Sequence, residues 1–311
     1  MELKQLQRLV AVVDEGSLAA AARTLGLTQQ ALSASVAKLE QDLSVTLLDR
    51  APGGITRMTP FGAALLPFAR SQLAADRRAR AALEAIADAD VGTVTVGIGE
   101  TFAGDIIAEA FIALHESRPG LRVNLIEGYS EILLKRFYQG EFDFVAVGVE
   151  DYSLKPGYRA ETIYTTQDVI ACRPGHPLTH KSALTLKDLE GYGWLVPYSR
   201  PSDTDVIIDT FVAENLTPPT QFIGSDAYRV GMKILASSDL LLMTSPALVA
   251  NRFVNDAYRV LPINRPTIRR KASLVLDNNR PLTPAAKTML ENVRACVGQA
   301  RFVQDYHQPA H

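Results

Sequence analysis

The sequence predicts an α/β chain: a helical head, one long helix, and two α/β lobes. Apolar residues recur at helical spacing through residues 3–87, and from Thr93 short alternating or apolar runs trade places with helical segments. That β-α-β order implies parallel sheets. With 311 residues, 47% of them apolar, the chain can bury the cores of two or three domains. A formal net charge of -2 excludes a globally basic polyanion binder, so any such affinity must come from where charges are placed.

Leu3, Leu6, Leu9, Val10 and Val13 predict a first amphipathic helix that ends near Asp14-Glu15-Gly16. Ser17 is placed to cap the next helix, and Ala19 to Ala22 are strong helix formers that let a neighbour approach closely. Gly26 can end that helix in a left-handed conformation. Thr28 then caps another, whose stripe reads Ala31, Leu32, Val36, Leu39 and Leu43. Off the stripe, near the helix start, lie Thr28, Gln29, Gln30, Ser33, Ala34 and Lys38. A short polar face at a helix N-terminus suits base edges and phosphates. The pair reads as a helix-turn-helix with the second helix as the reader, although two helices joined at a Gly also build plain bundles.

Leu47-Leu48 and the residues up to Thr59 predict a small hairpin, a wing, turning at Pro52-Gly53-Gly54. Arg50 and Arg57 flank the turn, placed for a phosphate or a minor groove, or else solvated on the surface. Thr59-Pro60 starts a helix that runs to about Ala87. Its large apolar residues are Phe61, Leu65, Phe68, Leu73, Leu83 and Ile86, more than flanking domains can cover. An antiparallel pairing with a second copy would bury them. Pro67 inside it predicts a local kink, and 88–92 reads as a linker.

Beyond the linker the expected order is strand Val94–Ile98, helix Ile106–His115, strand Leu121–Ile126, helix Ser130–Tyr138 and strand Phe142–Val147. A second set has strands Val169–Cys172, Trp194–Pro197, Gln221–Ile223 and Leu240–Met243, with helices Asp205–Glu214 and Tyr228–Ala236. Strand Ala272–Leu276 and helix Pro284–Cys296 complete the pattern. The expected domains are 1–58 for the winged head, 59–91 for the linker helix and 92–311 for the two-lobed part. Lobe I takes 92–164 and 266–300, and lobe II takes 165–265.

Ligands of open α/β sheets sit at the carboxyl ends of the strands, where helix N-termini favour anions. There the sequence offers Glu100, Thr101, Phe102, Tyr129 and Ser130 in lobe I. Lobe II offers Tyr198, Ser199, Arg200, Ser225, Thr244 and Ser245. Each hydroxyl can equally be a helix cap. Arg200 could grip a carboxylate, with Glu100 pairing it in the empty cleft or meeting an ammonium, so the effector class suggested is anionic or zwitterionic.

Catalytic patterns are broken. Gly128-Tyr129-Ser130-Glu131-Ile132 lacks the second Gly of a nucleophile elbow, and Phe102 spoils a dinucleotide fingerprint after Gly97-Ile98-Gly99. Ser35-Val36-Ala37-Lys38 fits Ser-x-x-Lys but lies on the proposed reading helix. The five His show no metal spacing, and Cys172 and Cys296 stand far apart, so neither cofactor nor metal is expected. Lacking an apolar leader core or a membrane-length apolar run, the chain reads as cytoplasmic.

In this order of features the chain resembles the LysR-type transcriptional regulators over nearly its whole length. The stretch LQRLVAVVDEGSLAAAARTLGLTQQALSASVAKLEQDLSVTLLDR is similar to that family's amino-terminal signature. GTVTVGIG, RPGLRVNLIEG, GEFDFVAVG and RPGHPL follow in the family's order. The resemblance implies a winged helix-turn-helix, a dimerising linker helix and a periplasmic-binding-protein-like effector domain with its pocket between the lobes. It also implies homodimers paired into homotetramers, double-stranded DNA as partner, contact with RNA polymerase, and no enzymatic activity. Departures are Gln30 where many relatives carry Pro, Ala34 where Arg or Lys is frequent, a longer wing, and no Gly in Ala236–Leu240. The alternative reading is a small-molecule receptor whose helical head only dimerises.

Overall fold

A computed structural model of the chain describes residues 1–50, 56–87, 92–102, 105–149, 154–181, 183–249 and 258–297. The chain divides into two compact units, 1–87 with 138–141, and 88–137 with 142–311.

In the first unit, α1 (Leu3–Glu15), α2 (Leu18–Thr24) and α3 (Gln29–Leu43) precede β1 (Leu48–Arg50), β2 (Thr56–Met58) and α4 (Pro60–Ala87). Gly16 ends α1 in the left-handed region. Ser17 caps α2 by accepting from the Ala20 N–H at 3.2 Å, and Thr28 caps α3 from Ala31 at the same distance. The core gathers Leu6, Leu9, Val12, Ala21, Ala22, Leu32, Val36 and Leu39. Burying each large side chain stabilises by roughly 1.5–3 kcal/mol. Two stripe assignments change: Val12 rather than Val13 is fully buried, and Ala31 faces solvent while Ser35 is buried. In α3, positions 32, 35, 36 and 39 follow the 3-4 spacing of one face, and position 31 lies a turn's edge away.

β1 and β2 pair antiparallel, Leu48 opposite Met58 and Asp49 opposite Arg57. The turn 51–55 lies outside the described residues, as do the linker residues 88–91. Gly62 in α4 approaches the chain so closely that a Cβ there would sit 2.2 Å from the Leu47 carbonyl oxygen. Phe61, Phe68 and Leu83 are exposed on α4, and Pro67 lies within it.

In the second unit, β3 (Gly92–Ile98), α5 (Asp105–Ser117), β4 (Leu121–Glu127), α6 (Ser130–Tyr138), β5 (Phe144–Val149) and β6 (Tyr158–Gln167) come first. Then follow β7 (Val169–Cys172), β8 (Trp194–Val196), α7 (Pro201–Ala213), β9 (Phe222–Gly224), α8 (Tyr228–Ala236), β10 (Leu241–Thr244) and α9 (Pro246–Val249). β11 (Arg259–Val260), β12 (Arg269–Asp277) and α10 (Pro284–Val297) complete it. One sheet runs β4-β3-β5-β12-β6 and the other β11-β7-β10-β8-β9. Each has three parallel strands along one side, β4-β3-β5 and β10-β8-β9, and antiparallel strands on the other. The parallel pairing expected of the first three strands is present, and the added antiparallel strands make each sheet mixed. The strand returning from the other lobe, β12, enters the first sheet antiparallel, and β6 pairs with it along its length.

β6 was not anticipated, and it carries the first sheet to Gln167, past the expected lobe boundary at 164. α7 starts at Pro201 rather than Asp205, with Pro in the first turn where its missing N–H costs nothing. The chain passes from one sheet to the other at Asp168, whose N–H donates to the Ile268 carbonyl on the returning segment at 2.9 Å. Among the described residues no helix is long and apolar enough to cross a membrane.

Candidate nucleic-acid interface and inter-lobe cleft

At the start of α3, Thr28, Gln29, Gln30 and Ala34 are exposed and Ser33 is half-buried. The opposite face of the same helix is fixed in the core, so these side chains point outward by default. Lys38 is exposed but paired with Asp42 at 3.1 Å one turn on. That hydrogen bond holds the Asp42 carboxyl below its ordinary range. Arg57 is exposed on β2 opposite Asp49. The Arg50 side chain lies outside the described residues.

Sequence reading missed what holds this face in place. Glu40 Oε1 accepts from the backbone N–H groups of Leu47 and Leu48 at 2.7 and 3.1 Å, tying α3 to β1. The Thr59 hydroxyl donates to the Thr46 carbonyl at 2.6 Å and accepts from Gly62 N–H, so it joins β1 to α4. The Thr56 N–H donates to the Gly16 carbonyl, tying β2 to the end of α1.

The cleft lies between the lobes of the second unit. Arg200, just before α7, reaches across it, and its Nη1 donates to Glu100 Oε1 at 2.6 Å. Both side chains are nearly fully buried. The Arg200 guanidinium also stacks over the Tyr129 ring, 5.5 Å from its centroid. The Ser130 hydroxyl donates to Glu100 at 3.4 Å and accepts from Gly148 N–H at 3.1 Å. Four further residues complete a charged cluster. Arg270 on β12 donates from Nε to both Asp168 oxygens at 2.9 and 3.1 Å, and from Nη2 to both Asp203 oxygens. Glu131, in the first turn of α6, stands 3.9 Å from Arg200 Nε. Asp168, Asp203, Glu131 and Arg270 were not foreseen. One signal did exist: β12 alternates, and Arg270 falls on the face of buried Ala272 and Leu274 while Arg269 is exposed.

Burial weakens charged forms here. It pushes the Tyr129 hydroxyl up to about 12, with the Glu100 charge adding to the effect. It also raises the Glu131 carboxyl, and Arg200 pulls back. Burial alone would lower the Arg270 guanidinium, but Asp168 and Asp203 more than offset it, so it is raised.

Two cavities meet at Arg200. One, about 370 Å³ with its mouth, has Tyr129, Leu195, Met232 and Leu248 around Ser225 and Thr244. The other, about 590 Å³ with its mouth, is lined by Ser130, Glu131, Ser202 and Arg270 with Leu134 and Val149. Of the residues predicted for the cleft, Glu100, Tyr129, Ser130, Arg200, Ser225 and Thr244 are brought together there. Thr101 is fully buried, its hydroxyl without a hydrogen bond. Phe102 packs in the lobe I core against Tyr164, rings 5.5 Å apart, and is a core residue. Tyr198 is 78% exposed and lines neither cavity. The Ser199 hydroxyl is taken by Asp226 at 3.1 Å, and Ser245 is a buried helix cap for Ala247. Among the described residues no group of His, Cys, Asp or Glu is arranged to hold a metal.

A helix-turn-helix with a two-stranded wing, joined to a two-lobed α/β module with a polar cleft, defines a DNA-binding head combined with a ligand-binding domain. The family model described as a LysR substrate binding domain matches residues 87–296, and that of the bacterial regulatory helix-turn-helix protein, lysR family, matches 3–63. The chain belongs to the LysR family; it is a DNA-binding transcriptional regulator with an effector-binding domain. It is 28% identical to an SDS degradation transcriptional activation protein of a Pseudomonas species, over 93% of this chain and 94% of that one. It is 25% identical to the regulator GbpR of Azospirillum brasilense over 95% and 86%. In fold it is similar to CbnR, a LysR family transcriptional regulator, with a TM-score of 0.69 and 22% identity over 96% and 99% of the two chains. CbnR complexed with its target DNA scores 0.66 at 23% identity, over 95% and 100%.

Proposed function

We propose that this regulator reads its operator with Gln29 and Ser33, that Arg50 and Arg57 add phosphate or minor-groove contacts, and that Thr28, Gln30, Ala34 and Lys38 border the readout. A homodimer places two such helices about 34 Å apart or a multiple of that along the duplex. Exposed Phe61, Phe68 and Leu83 on α4 support assembly through that helix, and pairing of dimers makes a homotetramer. The protein acts in the cytoplasm, engages RNA polymerase from the bound site, and carries out no catalysis and holds no cofactor. Its effector is a small organic molecule with an acid group, anionic or zwitterionic, seated between the lobes with that group on Arg200.

The observation that carries the effector reading is Arg200 itself, a buried guanidinium that lines both cavities. An effector can act only by binding two lobe or subunit arrangements with different affinity. The test is a gel shift of the full-length protein on its own upstream DNA at two stated salt concentrations. Specific binding is expected, and Arg57→Ala should weaken all sequences alike and lower the salt slope by roughly one. A protein that binds no DNA better than a random duplex would overturn the readout assignment.

A further inference from the structure

The cavity lined by Glu131 and Arg270 contains two charged groups whose interactions are incomplete. Arg200 is 7% exposed, and its Nε–H is buried without a hydrogen bond. Oxygens of Asp203 and Glu131 lie 3.4 and 3.9 Å from that nitrogen, too far or too poorly aimed to accept from it. Glu131 is the counterpart. Its side chain is 47% exposed at the cavity wall, and among the described residues Arg200 is its only cation within 4 Å. The other pairs are tight, Glu100 on Arg200 at 2.6 Å and Asp168 on Arg270 at 2.7 Å.

Charge decides which ligand fits. Among the described residues, Glu100, Glu131, Asp168 and Asp203 pair with Arg200 and Arg270 alone. A simple carboxylate brought to Arg200 adds another negative charge to a buried cluster already short of cations. An amine alone leaves the Arg200 Nε–H unfilled. A molecule with both charges on one carbon meets both groups and leaves the net charge of the cluster unchanged.

We propose, building on the reading of Arg200 as the contact for the effector's acid group, that this cavity takes the head group of an α-amino acid. The carboxylate sits on Arg200 and the ammonium on Glu131. The hydroxyls of Ser130 and Ser202 lie along the same wall, and Leu134 and Val149 give the amino acid's side chain an apolar surface. Burial raises the Glu131 carboxyl by disfavouring its charged form, and an arriving ammonium opposes that shift.

The test is calorimetric titration of the full-length protein with the proteinogenic L-amino acids. Each binder is then compared with the same molecule lacking the amine and the same molecule lacking the acid. At least one amino acid should bind, with both analogues roughly ten- to a hundredfold weaker. Glu131→Gln, a change at a half-exposed position, should reduce the amino acid to the affinity of its amine-free analogue and leave that analogue's affinity unchanged. If the amine-free acid binds as tightly as the amino acid, or Glu131→Gln alters neither, the head-group assignment is overturned while a carboxylate effector stands. If no amino acid and no matched acid binds, both readings fall.

Discussion

At the start of α3, Gln29, Gln30 and Ala34 are exposed and uncharged, whereas in the cleft Glu100, Arg200, Asp203 and Arg270 are buried and charged. The amides of the first face are exposed to water, so the fold does not depend on them. In the cleft the charges have left water and recover that cost mainly from one another. In the proposed readout the first surface gains its hydrogen bonds from DNA, whereas the second has internal partners before any ligand arrives.

The contrast is broken most directly at Arg270. Arg270→Met leaves Asp168 and Asp203 buried without their main cation and should cost about 3–5 kcal/mol in urea denaturation. A loss under about 1 kcal/mol would mean that the cluster is not the tightly paired unit seen here. Gln29→Ala should instead leave stability alone and cost roughly 1–3 kcal/mol at one base pair, read by fluorescence anisotropy on operators varied position by position. Equal losses in folding and binding would make Gln29 a structural residue and remove the contrast from that side.

The smallest effect sharpens the cleft. Burial raises the Glu131 pKa in the folded protein, so the stability it contributes is present below the unfolded value and lost as pH rises through the folded one. At neutral pH the charged Glu131 is therefore a mild cost. The melting temperature of Glu131→Gln, relative to the parent, should be higher near pH 7 than near pH 4, by on the order of a degree because solvent screens a half-exposed group. A difference of opposite sign would show that Arg200 outweighs burial there.

Local signals carried much of the architecture. Ser17 and Thr28 cap helices as their chemistry requires, and the helices 130–138 and 228–236 begin and end where the sequence places them. β6 escaped because it is an edge strand with one face in water. Tyr158–Gln167 is interspersed with Arg159, Glu161 and three Thr, and it lacks the apolar run of a central strand. The Glu100–Arg200 pair was legible from the strand ends, but the rest of the charged cluster was not. Positions 131, 168, 203 and 270 join it only through tertiary folding, and an Asp, Glu or Arg read alone is most often a surface residue. Phe102 and Ser245 show the converse error: they stand at strand ends, yet their side chains turn into the core.

Glu40 has one more consequence. Because a single carboxylate oxygen holds both Leu47 and Leu48 N–H groups, and Thr59 and Thr56 fasten the neighbouring backbone, the base of the wing is set against α3 before any duplex is present. Ordering one residue's backbone costs about 1–2 kcal/mol. Here that cost is met during folding rather than during association, so the helix and the strands beside it arrive at DNA as a preorganised pair.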